Sequence, residues 1–158
     1  MTRKILLQIN GKRRWLEVEP DWTLLKVIRE KFGLLGVKQA CMVGHCGACK
    51  VLIDGTPVNS CLIPASNVDG KKIITIEGLA ENGKLHPLQE AFIKHNAFQC
   101  GYCVPGVIIS AKALLDKNNA PSKTDVKNAI KGNLCRCGAY PVMIEAIMDA
   151  AKNLREAG

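Results

Sequence analysis

The stretch CMVGHCGACKVLIDGTPVNSC, residues 41–61, carries four of the eight cysteines in this chain of 158 residues. Thiolates are soft, redox-active ligands, so such crowding points to a metal centre or to disulfide chemistry. The spacing is Cys41-x4-Cys46-x2-Cys49, with eleven residues between Cys49 and Cys61. Three ligands from one loop can wrap a small cluster, while the fourth arrives from the far end of the hairpin that follows. This is the plant-type 2Fe–2S spacing. Gly44 and Gly47 in the same loop let the backbone bring N–H groups close to sulfur, which tunes such a centre. Zinc also accepts four thiolates, but its sites usually pair two CxxC knuckles, and this run matches that less well.

The other four cysteines form Cys100-x2-Cys103 and Cys135-x-Cys137. The first pair would share a face if helical. It lies just before an apolar helical pattern, near that helix's positive end. The second pair, spaced i, i+2, must project from a turn. It precedes a helix opened by Pro141. Two helix starts meeting at one site suit an anionic cluster. By spacing alone this set remains open between zinc and iron–sulfur. His45 lies inside the first loop, but four cysteines already fill that site, which leaves it a role beside the ligands. No serine, cysteine or carboxylate constellation suited to nucleophilic or acid–base catalysis stands out.

The bulk composition decides the chemical setting. At 47% hydrophobic and 23% charged residues the chain is globular rather than disordered, and with 4% aromatics its core must be aliphatic. Met1-Thr2-Arg3-Lys4 is followed by a short alternating run instead of a signal-peptide core, and no apolar run is long enough to span a bilayer. The expected location is therefore the cytoplasm, where thiols stay reduced and serve metals or redox chemistry. The formal charge is +8 with cysteines counted neutral. Two oxidised 2Fe–2S centres of net charge about −2 each would leave about +4. The basic residues are dispersed, with no aromatic-interleaved stripe, so neither nucleic acid nor membrane is an expected partner.

The elements that must position these cysteines fall into two halves. Lys4 to Asn10 alternates, Asn10-Gly11 is a hairpin turn, and Arg13 to Glu19 reads as the return strand. Thr23 caps a helix carrying Leu24, Val27, Ile28 and Phe32, and Gly33 stops it. Cys49 to Asp54 reads as a strand turned by Asp54-Gly55, and Lys72 to Ile76 as another. Beyond the turn-rich Gly78 to Lys84 the pattern becomes helical. Leu88 to Lys94 is entered through His86-Pro87, and Val104 to Leu115 repeats at helical spacing. Ser122 with Asp125 starts a third helix, and Pro141 a fourth. His86 reads as a cap or surface residue, and His95 as the end of its helix. Trp15 and Trp22 read as core covers or subunit contacts.

Three motifs in order, CGAC at 46–49, QCGYCVPG at 99–106 and GNLCRCGAY at 132–140, resemble the small iron–sulfur subunit of the molybdenum hydroxylases. That family includes xanthine dehydrogenase, aldehyde oxidoreductase, carbon monoxide dehydrogenase and 4-hydroxybenzoyl-CoA reductase. The resemblance covers nearly the whole chain. It implies an α+β fold, with a plant-type ferredoxin-like β-grasp domain (1–78) followed by an all-α four-helix domain (79–158), each holding one 2Fe–2S cluster. Cys41, Cys46, Cys49 and Cys61 would hold the cluster nearer the flavin, and Cys100, Cys103, Cys135 and Cys137 the one nearer the molybdenum. Gln99 and the backbone at Cys137 would contact the molybdopterin of a large partner subunit, with FAD on a medium one. The implied assembly is a heterotrimer or its dimer. The implied role is one-electron transfer within a multisubunit oxidoreductase, with no catalytic site on this chain.

The sequence departs from the family pattern at Val104, where threonine is usual. Gly138-Ala139 replaces Thr-Gly, and His45 stands where an acidic residue or glutamine is common. None of these removes a cysteine. Two other readings stand beside this one. A free-standing ferredoxin-like carrier would have no use for the Gln99 motif. A zinc-stabilised binding module would be colourless and lack acid-labile sulfide.

Overall fold

The computed structural model describes residues 1–158. Strand β1 (Arg3–Ile9) and strand β2 (Lys12–Val18) pair antiparallel, with Ile9 opposite Lys12. Asn10 and Gly11 both take positive φ, 50° and 79°, as the two-residue turn requires. Ile5, Leu7 and Ile9 all point into the core, joined by Leu16 and Val18 from β2. Helix α1 (Leu24–Lys31) starts where the Thr23 hydroxyl accepts from the Lys26 N–H at 3.2 Å. It buries Leu24, Leu25, Val27 and Ile28 against the sheet. Gly33, at φ 66°, lets the chain leave it.

Strands β3 (Lys50–Ile53) and β4 (Thr56–Asn59) form a second hairpin, turned by Asp54 and Gly55 at φ 49° and 82°. Strand β5 (Lys72–Ile74) lies between β1 and β3, giving the order β2-β1-β5-β3-β4. The β1–β5 pairing is parallel and the others are antiparallel. Pro57 is tolerated because β4 is an edge strand.

β5 stops two residues earlier than the alternation predicts. The Asn10 side chain donates to Thr75 Oγ1 and accepts from the Thr75 N–H, both at 2.9 Å. That clamp takes residue 75 out of the ladder, and a 3-10 turn follows at Ile76–Gly78.

The second half is four helices. α2 (Pro87–Lys94) is capped by His86, whose Nδ1 accepts from the Leu88 N–H, while Gln89 accepts from the His86 N–H. α3 (Val104–Lys117) is buried along most of its length. α4 (Lys123–Ile130) opens with the Ser122–Asp125 capping box. α5 (Tyr140–Ala157) packs against α2 and α4. His95 ends α2, and its Nε2 lies 2.8 Å from Asp149 Oδ2 on α5. Trp22 lies over the first core beneath Lys26 and Lys31, whereas Trp15 is largely exposed. No helix is long and apolar enough to cross a membrane.

Two hydrophobic cores result, and β3 serves both. Val51 packs into the α1 core and Leu52 into the helical one. Ile73 and Ile74 of β5 divide in the same way. Successive side chains of a strand face opposite sides, so one strand can seal two layers.

Candidate metal centres

All eight cysteines are free thiols. The first loop folds around Cys41. The N–H groups of Cys46 and Val43 point at its sulfur, 3.4 and 3.5 Å away, and the N–H of Ala48 points at Cys46 Sγ at 3.5 Å. Met42, Gly44 and Gly47 take positive φ to permit this. Those donors, first Cys46 and then Val43, bring Cys41 down to about 6. Cys49 and Cys61 complete the set from the two ends of the β3–β4 hairpin and are buried. Burial, followed by a hydrogen bond to Cys49, pushes the Cys61 thiol up to about 11. Asn59 braces the loop by donating to the Gly44 carbonyl at 2.8 Å. The His45 side chain is exposed.

The second set gathers at the entries of α3 and α5. Cys103 is the residue that caps α3, and Cys100 stands in the turn before it. The pair lies just before the helix, as its place in the sequence suggests, and Gly101, at φ 79°, makes this a turn, so the two cysteines do not share a helical face. Cys135 and Cys137 project from a turn before α5, as an i, i+2 pair must. Tyr140 pins that turn, accepting from the Cys135 N–H at 2.7 Å and donating to the Asn133 carbonyl at 2.9 Å. Cys100 and Cys137 stand sulfur to sulfur at 3.7 Å. Burial, then a hydrogen bond to Cys135, pushes Cys103 up to about 12. Burial would also raise Cys135, but the N–H of Ala139, the Cys103 thiol and the Gly138 and Cys137 N–H groups outweigh it and hold it low.

The thiols of each set are thus neighbours, as at Cys100 and Cys137. No three His, Cys, Asp or Glu side chains converge on a point suited to one metal ion. Soft thiols in fours, with N–H groups turned toward sulfur, fit a two-iron cluster.

Comparison with known proteins bears on the same residues. Residues 7–80 match the 2Fe-2S iron-sulfur cluster binding domain family, and residues 75–148 match a second 2Fe-2S binding domain family. The nicotinate dehydrogenase small FeS subunit of Eubacterium barkeri is 49% identical over 136 residues, 86% of this chain and 87% of the relative. The xanthine dehydrogenase iron-sulfur-binding subunit of Escherichia coli O157:H7 is 44% identical over 91% of each chain. This chain belongs to the small iron–sulfur subunits of the molybdenum hydroxylase family. In solved structures the fold recurs in quinoline 2-oxidoreductase from Pseudomonas putida 86, with TM-score 0.93 and 43% identity over 98% of this chain and 97% of that one.

In this iron–sulfur subunit the two cysteine sets are joined by a tight seam. The Leu134 N–H donates to the Cys46 carbonyl at 2.8 Å, which puts one set a single residue from a hydrogen bond to the other. Asn133, buried at 2% exposure, makes three contacts there. Its Nδ2 donates to the Gly47 carbonyl at 3.2 Å, and its Oδ1 accepts from Ser110 at 2.7 Å and from Lys50 Nζ at 3.1 Å. A Cβ on Gly106 would stand 2.2 Å from the Gly47 carbonyl oxygen, and one on Gly47 2.3 Å from that of Gly132. Tyr102 adds a hydrogen bond from the second set's turn to the Gln39 carbonyl. Gln99 Nε2 donates to the Cys137 carbonyl at 3.4 Å, so the two residues implicated in cofactor contact by resemblance lie together on the surface.

Asn133, Ser110 and Lys50 escaped sequence reasoning. Asn133 lies inside the quoted GNLCRCGAY motif, but nothing in its spacing marks a buried amide.

Proposed function

We propose that the chain passes single electrons between a molybdopterin centre on a large partner subunit and FAD on a medium one. When bound, the two 2Fe–2S centres would supply one-electron storage at two steps. In this reading residues 1–78 hold one through Cys41, Cys46, Cys49 and Cys61. Residues 79–158 hold the other through Cys100, Cys103, Cys135 and Cys137. When bound, each centre would be held by the four thiolates of its own set.

The observation that carries the proposal is the Leu134-to-Cys46 hydrogen bond, which links two complete thiol sets through backbone alone. A rigid polar seam fixes their separation, and electron transfer depends on that. The rims favour docked partners. Val43 and Leu62 are exposed beside the first set, and Phe98, Tyr102 and Leu134 beside the second. Exposed apolar side chains clustered in this way mark contact surfaces. Gln99 and Cys137 at the second rim are the contacts we assign to the molybdopterin. Substrate chemistry would then belong to the large subunit, in a heterotrimer or its dimer, and this chain would carry no catalytic site.

The test is low-temperature EPR of the dithionite-reduced, as-purified protein with spins counted per chain. Two distinct half-spin signals approaching two spins per chain are expected. A fully metallated protein without signal would be a zinc protein and would overturn the proposal.

A further inference from the structure

Cys61 is the one ligand of the first set outside the 41–49 loop, so contacts between that loop and the end of the β3–β4 hairpin must set its place. Asn59, Ser60 and Leu62, which flank it, make those contacts. The Ser60 hydroxyl donates to the Cys49 carbonyl at 2.7 Å. Leu62 packs so closely on Gly44 that a Cβ there would stand 2.3 Å from its Cδ1. Asn59 Nδ2 donates to the Gly44 carbonyl at 2.8 Å. That is the one hydrogen bond accepted by any carbonyl of residues 42–45.

The segment it grips does not hold itself. Met42 and Gly44 stand at positive φ, 60° and 76°, a conformation that is unfavourable for methionine and persists only where the surroundings fix it. Gly44 also lies between Val43 and Cys46, the two residues whose N–H groups point at Cys41 Sγ, 3.5 and 3.4 Å away. Asn59 is kept at a cost. Its Oδ1 is the only buried side-chain nitrogen or oxygen in the chain without a hydrogen-bond partner. A buried, unmatched acceptor is unfavourable, and an aliphatic side chain of similar size would avoid it. What the amide adds over leucine is the donation to Gly44.

We propose that Asn59 is a positioning residue for the first centre. By clamping Gly44 it keeps the Val43 and Cys46 N–H groups aimed at Cys41 Sγ and holds the loop in register with Cys61, which raises that centre's potential relative to the second. This role rests on the ligand sets assigned above. Reduction adds one electron and takes a 2Fe–2S centre with four thiolates from about −2 to about −3. N–H dipoles aimed at sulfur favour the more negative state. A loop released at Gly44 lets those donors turn to water, and the oxidised state gains. The amide carries no charge and no proton moves, so Asn59 acts through geometry alone. None of its hydrogen bonds reaches the second half, so the effect falls on the first centre.

The experiment is an EPR-monitored redox titration of the complete chain, comparing wild type with Asn59→Leu and Ser60→Ala. The signal that survives Cys137→Ser marks the first centre. Asn59→Leu is expected to keep both signals and to lower the first centre's potential relative to the second by roughly tenfold in the reduction equilibrium, about 59 mV for a one-electron couple. Hydrogen–deuterium exchange of the peptide covering 41–49 should quicken with it. Ser60→Ala breaks a hydrogen bond from the same hairpin end but none that steadies the Cys41 donors, and is expected to stay close to wild type. Unmoved potentials or unchanged exchange in Asn59→Leu, potentials that move together, or an equal effect of Ser60→Ala would each overturn the role of Asn59 and leave the electron-transfer reading standing. Absence of two signals in the wild type would instead remove that reading. If Asn59→Leu does not load iron, Asn59→Ala carries the same comparison.

Discussion

Asn133 reaches across 86 positions of sequence to donate its amide to the carbonyl of Gly47, joining the loop of one cysteine set to the turn of the other. Its remaining side-chain contacts go to Ser110 and Lys50, so every polar atom of this buried group is used. Removing it leaves a carbonyl, a hydroxyl and an ammonium short of partners at once. Asn133→Ala is expected to cost about 2–4 kcal/mol in denaturant unfolding. A loss below about 0.5 kcal/mol, the level of an ordinary surface change, would show that the seam does not depend on this side chain.

The glycines offer an internal contrast. Gly106 has the Gly47 carbonyl where a Cβ would go, and both sides of that clash are backbone. Gly138 takes φ 75° but faces open space. Gly138→Ala should cost only the left-handed backbone penalty, about 1–2 kcal/mol. Gly106→Ala must part the two halves or bend α3, and is expected to cost more than about 3 kcal/mol or to prevent iron loading. Equal effects, measured side by side by thermal unfolding and iron content, would refute the close approach.

Tyr140 holds the Cys135 N–H with its hydroxyl oxygen while donating to Asn133. Tyr140→Phe keeps the ring and removes both bonds. The expected loss is about 1–3 kcal/mol, the cost of a part-buried donor left unmet. It should be accompanied by a change in the EPR line shape of the second centre only. An unchanged spectrum and stability would place the anchoring of that turn elsewhere.

Cys137→Ser should disturb one of the two EPR signals and leave the other, since Cys137 stands beside Cys100 in the second set. Loss of the other signal would refute the grouping. Gln99→Ala should keep both signals and weaken binding of the large partner subunit by roughly tenfold in a pull-down titration, as expected for one lost hydrogen bond to a cofactor. Loss of a cluster instead would make Gln99 a structural residue.

Much of the frame was legible because local chemistry dictated it. Asn10-Gly11 and Asp54-Gly55 are turns through backbone freedom alone, and Thr23, His86 and Ser122 cap the helices they precede. Ser122 and Asp125 needed only each other, three residues apart. What stayed hidden was set by partners far along the chain. Thr75 leaves its strand because Asn10 clamps it from 65 positions away. KVLI at 50–53 reads as a strand from its apolar run, but nothing local says that Val51 and Leu52 serve different cores. The glycines of CGAC and CVPG read as loop and helix-entry residues, and only contact reveals that Gly47 and Gly106 are small because they touch.

That shared strand bears on how such subunits can be recombined. A chimera taking residues up to the Gly78–Lys84 turn from one relative and the remainder from another would split Leu52 and Ile74 from the helical core they help fill. It would also separate Gly47 from Gly106 and Asn133. Substitutions at touching positions do not add independently. The two halves therefore constitute one inheritable module, and a working graft must carry both faces of the seam from the same parent.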